Sequence, residues 1–307
     1  MVPEVVGSNP IGRPIVSIEN QIANRFQAPG RSADKRLSPA KSSLAGLSAN
    51  CQRARHWTAL SEIMHGFANP ARFLRLARWL TPLLLITGIV LTAASLAWGV
   101  FVAPADALQG ETVRIVYLHV PTAWLGMGGW TALALASLTE LVWRHPLAAI
   151  AARAIAVPGA VFAALCLVTG SIWGRPAWGA WWVWDGRLTS MLVLLFLYLG
   201  YLALADAAQR DGAGASRVPA IFGLVGAVNI PIIHYSVLWW NSLHQPPSIT
   251  MGKSAMAPEF LVPLLAATAG FSLLFGAVVL MRMRALLADQ QAEARLRRKA
   301  FATSGAD

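Results

Sequence analysis

Charge is what this chain has least of. Only 13% of its 307 residues are Asp, Glu, Lys or Arg, against about a quarter in ordinary soluble domains. With 56% hydrophobic residues and a mean hydropathy of +0.53, that deficit excludes a water-soluble globule. It also excludes disorder for most of the length. Cysteine is nearly absent. Cys51 and Cys166 are far apart, and no CxxC or CxxCH occurs, so neither thiol–disulfide exchange nor covalent attachment of a cofactor through paired cysteines is supported. No GxxxxGK phosphate-binding loop is present, so any ATP-driven step belongs to a partner. The apolar runs do not alternate with period two, which argues against a membrane β-barrel. Acidic residues number 14 against 25 basic ones, a formal balance of +11. Such a balance can mark a nucleic-acid binder. In a chain this apolar it reads as the topology-setting loops of an integral membrane protein, with no nucleic-acid partner.

What the chain has is apolar runs of about the 20 residues that a bilayer span needs. Six lie near 80–102, 116–143, 152–172, 188–206, 218–240 and 260–280. The second is long, and Pro121 is expected to mark its true helix start, since proline is tolerated in a first turn. The fold class is therefore an all-α integral membrane protein of six transmembrane helices. An even number of spans puts both termini on one side. In that topology twenty-one of the 25 Lys+Arg fall on the side of the termini. Arg114, Arg175, Arg187 and Lys253 fall on the other. The bias predicts cytoplasmic termini.

Three parts are expected along the chain. Residues 1–63 lack an apolar span and any secretory h-region; they read as a disordered extension, or as sequence upstream of a start at Met64. Residues 64–285 form the six-span membrane domain, opening on "RFLRLARWL", an expected interfacial amphipathic helix. Residues 286–307 are a basic cytoplasmic tail.

The non-cytoplasmic face carries three connections of unusual composition. The first, "APADALQGETVRIVYLHVP", holds His119. The second, "WGRPAWGAWWVWDGRLTS", holds Trp173, Trp178, Trp181, Trp182 and Trp184 within twelve residues. The third, "NSLHQPPSITMGKSAMAP", holds His244. An interfacial aromatic belt explains one or two tryptophans at a helix end; it does not easily explain five in one loop. If that loop is helical, Trp178, Trp181, Trp182 and Asp185 share one face, a platform for a large flat ligand. Asp185 suits the N-cap of span four. Arg187 reads either as a snorkelling interfacial cation or as a partner for an anionic group on the ligand, with Arg114 second in line. His56, His65 and His145 read as ordinary surface residues. His234, inside span five, is either a functional ionisable group or a structural hydrogen-bonding one. Two histidines flanking a tryptophan platform fit axial ligation of haem iron from opposite faces. They fit a tetrahedral zinc site less well, because no further ligands lie nearby.

These segments resemble the WWD signature of the haem-handling membrane proteins of cytochrome c maturation. "WGAWWVWDGRLTS" carries the signature. "APADALQGETVRIVYLHVP" and "NIPIIHYSVLWWNSLHQ" extend the likeness to the CcmC family over about residues 64–285. The resemblance implies a protein of the bacterial inner membrane, working among membrane lipid, that presents non-covalent, transient b-type haem on the periplasmic face. It implies delivery to the haem chaperone CcmE. It implies association with the ATP-binding-cassette subunits CcmA and CcmB and the small membrane protein CcmD. By motif position, His119 and His244 correspond to the family's iron ligands, and Trp173 to Arg187 to its haem platform; His234 is matched and taken as structural. No catalytic residues are expected. Two other readings stay open: a cytochrome b-like electron carrier using the same two histidines, and a small-molecule transporter using His234, Asn229 and Glu140.

Overall fold

The computed structural model describes residues 69–304 apart from 211–216, 241, 245–247 and 251–252. The expectations for residues 1–63, Cys51 and His56 among them, and those for Met64 and His65 lie outside the described residues. The rest is helical, with one two-stranded ribbon. In chain order the elements are α1 (Pro70–Phe101), a 3-10 turn (Glu111–Ile115), α2 (Val116–Trp143), α3 (Ala148–Trp178), α4 (Gly186–Arg210), α5 (Val218–Gly226), α6 (Asn229–Trp239), β1 (Ile249–Thr250), β2 (Lys253–Ser254) and α7 (Pro258–Ser304). Six helical stretches are long and apolar enough to cross a membrane, α5 and α6 together making the fifth.

Several boundaries differ from those expected. Asn69 caps α1, its side chain accepting from the Ala71 N–H at 2.9 Å, with Pro70 in the first turn. From that start the helix propagates unbroken through "RFLRLARWL" into span one, so there is no separate interfacial helix. Pro121 lies inside α2 rather than at its start, because the 3-10 turn begins the helix upstream. Span five is two helices. Pro231 has no N–H to offer the carbonyl of Ala227, which instead accepts from Ile230 at 3.1 Å, and the chain turns at Ala227–Val228. The tail is no separate element: α7 runs 47 residues, about 70 Å of helix.

Without a hydrophobic driving force between helices in lipid, packing relies on small residues that let elements approach closely. Trp130 is fully buried, edge-on to Tyr198 at 4.8 Å, in a core with Tyr201, Leu133 and Leu194. A side chain on Gly226 would strike the Trp130 ring at 2.4 Å. The Tyr198 hydroxyl reaches across from α4 to donate to the Gly126 carbonyl at 2.8 Å. Helix α1 lies along α7, and α2 along α3. Large apolar side chains such as Ile86, Val90, Val161 and Phe196 are exposed. So much bare apolar surface belongs against lipid.

Near the start of α3, Arg153 pairs with Asp206 at 3.1 Å and bonds Gln209, and Arg282 donates to the Ala154 carbonyl at 3.2 Å. The other end of α3 leads to the tryptophans and histidines.

Candidate functional site

The last turns of α3 organise this end. His119, in the first turn of α2 rather than in a loop, lies edge-on to Trp173 with ring centroids 5.6 Å apart. His244, on the connection after α6, lies edge-on to Trp178 at 4.7 Å. The two imidazoles therefore flank one stretch of α3.

Each ring is fixed through the same nitrogen. Thr169 donates its hydroxyl proton within α3, to the Leu165 carbonyl at 2.7 Å. Its oxygen is left to accept from His119 Nδ1–H, 3.0 Å away. The ring rests on Gly170, where a Cβ would stand 2.9 Å from the His119 Cε1 atom. On the other side Asp185 is 4% exposed at its side chain. Its Oδ1 accepts the Leu188 N–H at 2.7 Å, which caps α4 as expected. Its Oδ2 accepts from the Ser242 hydroxyl at 2.6 Å and from His244 Nδ1 at 2.8 Å. Ser242 in turn accepts the His244 backbone N–H at 3.1 Å.

The electrostatics fit this pattern. Burial pushes the Asp185 carboxyl up. Hydrogen bonds from Ser242, Leu188 and His244 outweigh it, and the group sits below the ordinary carboxylate range. Burial is the chief influence on His244 and holds its ring below the usual imidazole range, against the hydrogen bond and charge of Asp185 and with the help of Arg187. The contact is thus a neutral imidazole donating to a carboxylate. The tautomer with the proton on Nδ1 and the lone pair on Nε2 suits both contacts, to Asp185 and to Thr169. Neither Nε2 has a hydrogen-bond partner among the described residues. Nothing about the donor set suits tetrahedral metal: among the described residues no three His, Cys, Asp or Glu side chains cluster. Two imidazole nitrogens beside indole rings are a donor set that could hold haem iron.

The tryptophans do not share one face. Gly179, with φ of 77°, ends α3 in the left-handed conformation, and residues 180–185 are not helical. Trp173 and Trp178 stand on α3 against the histidines. Trp173 donates its indole N–H to Gln109 at 2.9 Å. Trp181 and Trp184 point outward, 59% and 75% exposed, which is the belt disposition. Trp182 packs edge-on against Trp184 and keeps a buried indole N–H with no acceptor among the described residues. The Ser171 hydroxyl donates to the Trp181 carbonyl at 2.8 Å, holding the loop to α3.

Arg187 is half-buried, and its side chain's one hydrogen bond among the described residues is a long one, 3.5 Å, to the His234 carbonyl. Arg114 is already paired with Glu111. The His234 ring is exposed and packs on Tyr235 at 4.8 Å, and among the described residues it lacks the cross-helix hydrogen bond expected of a structural histidine. It lines a lateral groove with Trp124 and Met127. Asn229 donates to the Ser190 carbonyl at 2.9 Å. Glu140 stands about 20 Å of helix rise beyond Met127, so the three polar groups of a transport path do not converge. Sequence reasoning missed Gln109, Thr169, Gly170 and Ser242.

Fold and site together define a polytopic α-helical membrane protein with a paired-histidine, tryptophan-walled site at one end of the bundle. The profile of one family, CcmC, described as heme exporter protein C, matches residues 63–298. Three relatives carry the name heme exporter protein C. That of Bradyrhizobium diazoefficiens is 50% identical over 218 residues, 71% of this chain and 82% of its own. That of Escherichia coli K12 is 47% identical over 224 residues, 73% and 90%. That of Haemophilus influenzae is 44% identical over 231 residues, 75% and 94%. The chain belongs to the CcmC, or heme exporter protein C, family.

Proposed function

We propose that this protein binds haem at the periplasmic surface of the bacterial inner membrane and hands it to the chaperone CcmE during maturation of c-type cytochromes. CcmA, CcmB and CcmD are its partners in that complex. The observation that carries the reading is the pair of imidazoles, His119 and His244, each held at Nδ1, with no hydrogen-bond partner at Nε2 among the described residues. Trp173 and Trp178 supply apolar walls between them. Arg187 and the indole N–H of Trp182 are donors available for the haem carboxylates. The haem is cargo, non-covalent and transient. The chain positions it and supplies no acid, base or nucleophile of its own. The periplasmic placement is supported by the cationic cluster of Arg153 and Arg282 at the end of the bundle opposite the histidines.

The test is the absorption spectrum of the purified protein, wild type beside His119→Ala, His244→Ala and the double variant, with CcmE co-expressed. A six-coordinate haem spectrum in wild type, altered in each single variant, with CcmE loading abolished in the double variant, is the expected result. Haem absent throughout with normal loading would refute the assignment. The electron-carrier reading finds one point in its favour, the seat of His119 within a helix. Haem that cycles reversibly but never leaves for an acceptor would establish it.

A further inference from the structure

The two histidines share an orientation but not a support. His244 donates Nδ1–H to a carboxylate, Asp185, at 2.8 Å; His119 donates to a hydroxyl, Thr169, at 3.0 Å. A hydrogen bond to an ionised group is roughly twice as strong as a neutral one. The acceptor behind a ligating imidazole sets how basic the other nitrogen is toward metal. Asp185 is in addition immobilised by two further donors, Leu188 N–H and the Ser242 hydroxyl. Thr169 has spent its own proton on the Leu165 carbonyl and can only accept.

We infer that the two ligands are unequal by construction: Asp185 makes His244 the strong, retained ligand, and His119 is the one whose bond to iron yields first when haem leaves. This rests on the haem reading above. The two residues are also carried differently. His119 is fixed to the bundle, on the first turn of α2 with its ring against Gly170. His244 is carried by the connection between α6 and β1. Loss of the His119 bond would leave haem held through His244. Asp185 is then a positioning residue that acts through His244, and Thr169 a weaker one acting through His119.

The experiment uses the full-length protein in detergent, loaded with haem, and measures the half-life of haem loss to apomyoglobin and the midpoint potential of the bound iron. Asp185→Asn removes the charge and leaves a single acceptor oxygen, which can keep the helix cap or accept from His244 but not both. It should shorten the half-life by about 10–100-fold, the usual penalty for losing an outer-shell partner, and raise the potential, because a less basic ligand favours ferric iron less. Thr169→Val should change both in the same direction by a smaller factor. Independently, His119→Ala should keep its haem and recover a six-coordinate spectrum with added imidazole, while His244→Ala should lose haem. Equal effects of Asp185→Asn and Thr169→Val, or faster loss from His119→Ala than from His244→Ala, overturns the inference. If Asp185→Asn does not fold, the histidine pair decides alone. Wild-type protein that binds no haem overturns the functional reading instead.

Discussion

One methyl group tests how His119 is held. Gly170 lies in the middle of α3, where alanine should gain about 1 kcal/mol of helix propensity. Its Cβ would stand 2.9 Å from the His119 ring. Gly170→Ala is therefore expected to displace the ring, break its bond to Thr169, and weaken haem retention while α3 itself stays intact; absorption spectra and circular dichroism on the same sample separate the two effects. At this scale the sequence was informative about chemistry and silent about support. His119, His244 and Asp185 were legible because their types and local patterns are unusual. Thr169, Gln109 and Ser242 were not, because a threonine in an apolar helix or a serine in a loop most often satisfies its own backbone. Only the fold shows that Thr169 lies 3.0 Å from a histidine fifty residues away.

Helices in this protein meet through glycine and tyrosine, and the contacts of Tyr198 on α4 with Gly126 of α2 and Gly159 of α3 measure what each contributes. Tyr198→Phe removes one interhelical hydrogen bond, to the Gly126 carbonyl at 2.8 Å, worth about 0.6 kcal/mol in a membrane protein. Gly159→Ala would put a Cβ 2.4 Å from the Tyr198 hydroxyl and should cost about 1–3 kcal/mol through overpacking. Thermal unfolding in detergent should rank wild type above Tyr198→Phe above Gly159→Ala. The six spans were readable because continuous apolar runs leave few alternatives in lipid. Their ends were not. A proline can open a helix, sit inside one or split one, and Pro70, Pro121 and Pro231 do these three things in turn. Which occurs depends on what else can cap or bond the backbone there. The tryptophan face failed for a related reason: a helical period was extended past Gly179, whose left-handed conformation ends the helix.

For the molecule as a whole, the histidine and tryptophan site and the Arg153–Asp206 pair lie toward opposite ends of α3. Topology can be read with single cysteines introduced on a background lacking Cys51; Cys166 is buried. Ser248→Cys, near the site, should react with a membrane-impermeant maleimide on intact spheroplasts. Gln209→Cys, beside Arg153, should react only after permeabilisation. The reverse pattern would place the site on the cytoplasmic side and end the proposal of periplasmic delivery.

By itself the sequence determined the solvent and the chemistry. A chain with 13% charged residues cannot keep its apolar runs in water, and imidazoles beside indoles limit the ligands that suit. Tertiary structure decided which residues act together. It brought the ends of α2, α3 and α4 and the connection after α6 to one place, and so put a carboxylate behind one histidine and a hydroxyl behind the other. No local pattern encodes that difference, since it arises from packing between segments that are remote along the chain.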